Sequence, residues 1–265
     1  MSMLFAPAVS LMQRLRYPFK FALIGLVAFV TVAYLVTVLS LSLGKTIGQS
    51  RLELEGIESI RPVLRVVQLV QQHRDMVGGV LAGNAGMRDG VKQKTAEVEE
   101  AIRQADAKLA GRAVAARQQE GWKILKDEWA TLAAGWQDLT SQLSFIAHRS
   151  VIQNAMQIIS GIGEDSSLLM DPDLDSYYLA NTALFVMPDT IERLSIIRGA
   201  GNALLTAKSI SDFEKHEFST WLGVLGKMNE DLNVALARAE KSNPEMKDAL
   251  AQIGERYFSD AEAVA

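Results

Sequence analysis

Residues Phe21 to Leu43 read FALIGLVAFVTVAYLVTVLSLSL, 23 residues without a single charge. As a helix this run is about 35 Å long, more than the roughly 30 Å of a bilayer's hydrocarbon core. A helix satisfies its own backbone hydrogen bonds in lipid. The run therefore predicts a transmembrane helix over residues 19–44, preceded by a short tail, residues 1–18. Arg14, Arg16 and Lys20 lie just before it. Lys45 and Arg51 follow more sparsely, with Glu53, Glu55 and Glu58 after them. The basic excess on the N-terminal flank predicts a cytoplasmic N-terminus and places residues 45–265 on the far side. A cleaved signal peptide would have an apolar core of about 7–15 residues and a small-residue cleavage site. Ser40-Leu41-Ser42 matches such a site poorly, so an uncleaved anchor is the expectation.

Beyond the run, 24 basic residues face all 31 acidic ones, a formal charge of −7. Such a balance disfavours nucleic acid or an anionic membrane surface as partner. The chain has no cysteine, which excludes a disulfide framework and thiolate chemistry.

The exterior segment reads as helices throughout. Ile57, Ile60, Leu64, Val67 and Val70 form one apolar stripe, and Pro62 inside it predicts a kink or break near Glu58. Gly78-Gly79 and Gly83-Asn84-Ala85-Gly86 are stop signals. A second helix carries Val91, Thr95, Val98, Ile102, Ala105 and Leu109, with Gly111 at its end. Trp122, Leu125, Trp129, Leu132, Trp136, Leu139, Leu143 and Ile146 alternate in threes and fours, a coiled-coil-like seam predicting one long third helix. The apolar positions then move to Val151, Ala155, Ile158 and Ile162. That shift reads as a stutter and suggests a boundary between stacked modules near 147–150. Asp171-Pro172-Asp173 reads as a helix cap ahead of Tyr177, Tyr178 and Leu184. Pro188-Asp189 opens a helix with Ile191, Leu194, Leu204 and Leu205. Ser211 to Glu214 is a capping box, heading a helix that buries Phe218, Trp221, Leu225, Met228 and Leu232. Asn243-Pro244 caps the last helix, with Leu250, Ile253, Tyr257 and Val264. The expected fold is all-α: an antiparallel helical bundle after the membrane helix, with room for two stacked four-helix modules.

Arg74 and Arg198 are the candidate ligand-binding residues. Each lies on an apolar, glycine-containing turn, and the loose repeat between Gln71-Gln72-His73-Arg74 and Ser195-Ile196-Ile197-Arg198 gives them similar settings. A guanidinium there must reach solvent, a bound anion, or a carboxylate such as Asp75 or Glu192. The three tryptophans read as core rather than an aromatic ligand box. Asp171, Asp173 and Asp175 resemble the start of a calcium loop, but Ser176 stands at the glycine position and Thr182 at that of the closing glutamate, so caps are preferred. His73, His148 and His216 are scattered without metal spacing, and His148-Arg149 reads as surface. No metal site, cofactor fingerprint or catalytic constellation occurs, which points away from an enzyme.

The basic N-terminus, single span and helical exterior resemble the sensory half of bacterial methyl-accepting chemotaxis proteins, over residues 12–265. The most specific piece is Leu169 to Leu179, Leu-Met-Asp-Pro-Asp-Leu-Asp-Ser-Tyr-Tyr-Leu, which is similar to segments in those receptors and in related membrane histidine kinases. The turns at Gln72-His73-Arg74 and Ile197-Arg198-Gly199 are similar to those of nitrate- and nitrite-sensing bundles, whose paired arginines hold the anion. His73 stands where an acidic residue is usual, and Asp75 where a glycine is. The resemblance implies a homodimeric chemoreceptor of the bacterial inner membrane. Its periplasmic bundle would take a small, anionic ligand or a ligand-loaded binding protein. Such receptors continue into a second span, a HAMP linker and a signalling hairpin or kinase, so the chain is expected to be an excerpt of, or truncated from, a longer protein. The sensory part of a histidine kinase or cyclase, or a membrane-tethered scaffold, are the alternatives.

Overall fold

The computed structural model describes residues 16–169, 173–207 and 209–264, and the chain divides into units of residues 1–51 and 52–265. Arg14, Met170, Asp171 and Pro172 lie outside the described residues, as do the side chains of Asn202, Ala203, Leu205, Tyr257 and Val264. Among the described residues there is no strand.

Helix α1 runs from Tyr17 to Leu81. In the first unit its apolar run is unburied among the described residues: Phe29 is 71% exposed. A helix long and apolar enough to cross a membrane, with its greasy surface unburied, is what the uncharged run predicts. In the second unit the same helix buries Ile60, Val63, Val67, Val70, Val77 and Val80 along one side. The helix is continuous through Pro62, so of the kink or local break expected near Glu58 the break does not occur. Proline removes one backbone hydrogen bond, but Ser59, Ile60 and Val63 around it are buried in the core, and their packing holds the helix together. The helix also runs through Gly78-Gly79 and stops at Gly83, whose φ is +106°. Gly83 N–H donates to the Val80 carbonyl and Asn84 N–H to that of Gly79, both at 3.0 Å. This pair of bonds is a Schellman cap, and its left-handed residue favours glycine.

The remaining helices are α2 (Arg88–Leu109), α3 (Gln119–Gly135), α4 (Ser141–Asp165), α5 (Leu174–Asn181), α6 (Met187–Ala207), α7 (Asp212–Ser242) and α8 (Lys247–Val264). A π-helical turn, Thr182–Val186, joins α5 to α6, so Pro188 lies one residue inside α6 rather than opening a separate helix. The predicted long third helix is two helices. The seam is buried through Trp122, Leu125, Trp129, Leu132 and Trp136. The chain then turns through a 3-10 segment, Trp136–Asp138, and Thr140 caps α4 by accepting a hydrogen bond from Leu143 N–H at 3.2 Å. Leu143 and Ile146 are accordingly exposed. The shifted stripe at Val151, Ala155, Ile158 and Ile162 is the buried face of α4 as it packs on α3.

The other stop signals act as read. The capping box at Ser211 and Glu214 is formed in full, and Asn243 accepts from Glu245 N–H. Asp173 occupies the N-cap position of α5, but its side chain makes no capping hydrogen bond there. The carboxylate of Asp175 accepts from Ser176 N–H and from Asn243 Nδ2, both at 2.9 Å, and no acidic cluster capable of holding a metal occurs among the described residues.

One close approach depends on a missing side chain. A Cβ on Gly56 would lie 2.3 Å from Oγ and 2.4 Å from Cβ of Ser166, which is fully buried. We expect Gly56→Ala to cost about 1–3 kcal/mol through overpacking, seen as a lower urea midpoint with an unchanged m-value.

Candidate functional site

Two polar faces meet beside the core. On α1, Gln71, Arg74, Asp75 and Gly78 follow the i, i+3, i+4, i+7 spacing that puts side chains on one helix face. On α6, Glu192, Ser195, Ile196 and Gly199 do the same. Arg74, only 4% exposed, cannot snorkel and is paired instead. Its Nη1 lies 2.6 Å from Glu192 Oε1, and its Nη2 lies 3.2 Å from Oε2 and 2.9 Å from Ser195 Oγ. Its guanidinium also covers the Phe145 ring at 5.2 Å. Gln71 Nε2 donates to Glu192 at 2.9 Å, so both oxygens of that carboxylate are satisfied. A bidentate arginine pair of this kind is strong once formed and costly to break from one side.

Arg198, nearly half exposed, contacts Asp75 through Nη2. Arg74 Nε lies 3.7 Å from the same carboxylate, and Ser195 Oγ is 3.3 Å from each of its oxygens. The two arginines singled out in the sequence, 124 positions apart, thus converge on one acid. Burial pushes the Asp75 carboxyl above its usual range, although Arg198 and Arg74 pull against it.

Arg74, Asp75, Ser195 and Arg198 line a cavity of about 1050 Å³. Arg149 and Arg193 add two further cations to its wall, against Asp75 as the one carboxylate among the described residues. Phe145, Ile196, Met87 and Trp221 supply apolar surface. Trp221, read from the sequence as core, belongs to this wall. Ser144, Phe145 and Arg149 were not legible as site residues; their signal was the i+1, i+5 placement on α4, which only the position of Thr140's turn reveals.

Behind the cavity lies a second polar group that the sequence did not suggest. His73 and His148, scattered in the chain and with His148 read as surface, are both fully buried and 2.8 Å apart, Nδ1 to Nε2. His148 Nδ1 lies 2.7 Å from the Ser144 carbonyl and can only donate there. With both rings neutral, its Nε2 accepts from His73 Nδ1, and the single hydroxyl hydrogen of Thr95 is shared between His73 Nε2 at 3.0 Å and the Val91 carbonyl at 2.9 Å. Burial lowers the His73 pKa to about 3 and that of His148 to about 4. The Trp129 ring meets His73 edge-on at 5.0 Å. This pair ties α1, α2 and α4 together directly beside Arg74.

A family model described as nitrate and nitrite sensing, NIT, matches residues 65–257, well over half of the chain. The chain belongs to the NIT family. The matched segment contains both Arg74 and Arg198 and the whole cavity, and NIT is a sensory domain rather than a catalytic one. No curated protein and no solved structure matches this NIT chain.

Proposed function

We propose that this NIT protein is the periplasmic sensory part of a transmembrane receptor, and that nitrate or nitrite binds in the cavity between Arg74 and Arg198. The observation that supports it most is the convergence of arginines from α1 and α6 on one cavity whose wall, among the described residues, holds four arginines and one carboxylate. Planar guanidinium forks suit planar oxyanions. An anion held between them would move α6 against α1, the helix that also carries the apolar run, and a small shift between packed helices is a common way to pass a signal. The basic residues before the run, Arg16 and Lys20, support a cytoplasmic N-terminus with residues 45–265 periplasmic. We take the receptor to be a homodimer and a methyl-accepting chemotaxis protein. The same sensory unit would serve a membrane histidine kinase, and the family match favours neither output.

Arg198→Ala tests the site. Arg198 is too exposed to carry the fold, so the full chain in detergent should melt near the wild-type temperature without ligand. Nitrate should stabilise wild type and leave the variant unmoved; equal stabilisation of both would remove Arg198 from the site.

A further inference from the structure

The cavity contains an acid that an anion site does not call for. Asp75 lines it, and its carboxylate touches Arg198, faces Arg74 Nε at 3.7 Å and lies 3.3 Å from the Ser195 hydroxyl at both oxygens. That is the set of partners a small oxyanion between the two arginines would use. Glu192 differs: it is the more buried of the two acids, is held by Arg74 and Gln71, and does not line the cavity. Burial also raises the Asp75 carboxyl despite the two cations beside it.

Resting on the assignment of Arg74 and Arg198 to the anion, we propose that Asp75 is an intramolecular occupant of that site and sets its affinity. In the empty receptor its carboxylate satisfies Arg198, and an external oxyanion binds by displacing it. Two like charges cannot share one pair of arginines without repulsion, so each incoming anion must first part Asp75 from Arg198. The same contact links α1 to α6, so its opening is the movement that binding would impose on the bundle.

Nitrate titrated by calorimetry into the full chain in detergent, at constant ionic strength, separates this from a purely structural tie. Asp75→Asn keeps the shape and an acceptor for Ser195 while removing the charge. It should bind nitrate at least about tenfold more tightly than wild type, and adding Arg198→Ala should abolish the gain. Asp75→Ser, smaller and neutral, should show the same gain. Nitrate binding to wild type with no gain in either variant would overturn the role of Asp75 and leave the arginine site standing. No nitrate binding to wild type or to either variant would overturn both. If neither variant folds by circular dichroism, Asp75 is a structural tie and the proposal fails.

Discussion

Lowering the pH from 7 to 5 should destabilise the residue 52–265 unit by about 2 kcal/mol for each of His73 and His148. Both are fully buried, and their folded pKa values are lowered from 6.5 to about 3 and about 4. An unfolded chain takes up a proton on each ring as the pH falls through 6.5, while the folded chain does not. The unfolded state therefore binds more protons, and stability falls with pH. The contribution is fully present above 6.5 and is lost progressively down to about 4 and then 3. Asp75 acts in the opposite sense, since its raised carboxyl makes ionisation cost stability as the pH rises. Urea unfolding of the full chain at pH 7, 6 and 5 measures the slope. Replacing His148 by Gln removes one titrating group, so about half of the slope should disappear even if the midpoint at pH 7 also drops. A variant slope equal to that of wild type would show that the histidine pair is not its source.

Trp129→Ala should cost about 3–5 kcal/mol, the range for truncating a buried aromatic. Trp129 is 3% exposed, lies in the buried apolar core, and meets the His73 ring in a T-shaped contact. Trp129→Phe should cost far less. The indole N–H of Trp129 finds no acceptor among the described residues, so phenylalanine gives up packing but no hydrogen bond. Trp122 is the contrast, because its Nε1 donates to Asp106 at 2.6 Å, a bond that phenylalanine there would forfeit although Lys126 still pairs with that carboxylate. Removing the Trp129 ring would also let water reach His73, so the alanine variant should show a shallower pH slope than wild type. Equal losses for Trp129→Ala and Trp129→Phe would mean that the indole nitrogen, not the ring, carries the contribution.

Much of the bundle was legible. The stripes on α1 and α2, the seam from Trp122 to Trp136, the capping box at Ser211 and the turn at Asn243 are each set by a handful of consecutive residues. The errors fell where a local signal competed with packing. Pro62 argued for a kink or local break near Glu58, and buried neighbours keep the helix unbroken there. Leu139, Leu143 and Ile146 happened to continue the seam's spacing past a turn held by Thr140. At the site, Arg74 and Arg198 could be named, and Asp75 and Glu192 could be named as carboxylates within reach. That all four belong to one arrangement, with Ser195 between them, could not be read from their positions.

What the sequence determined unaided was periodicity: an uncharged run long enough for a bilayer, apolar stripes at helical spacing, and the residues that start and stop each helix. These follow from backbone geometry within a few turns, so neighbouring residues suffice to specify them. The tertiary structure alone decided that His73 meets His148, that Arg74 meets Glu192 and that Asp75 stands between two arginines. Those contacts depend on the order in which helices pack and on each helix's rotation about its axis. A helix turns by about 100° per residue, so an error of one residue in rotation carries a side chain from cavity to core.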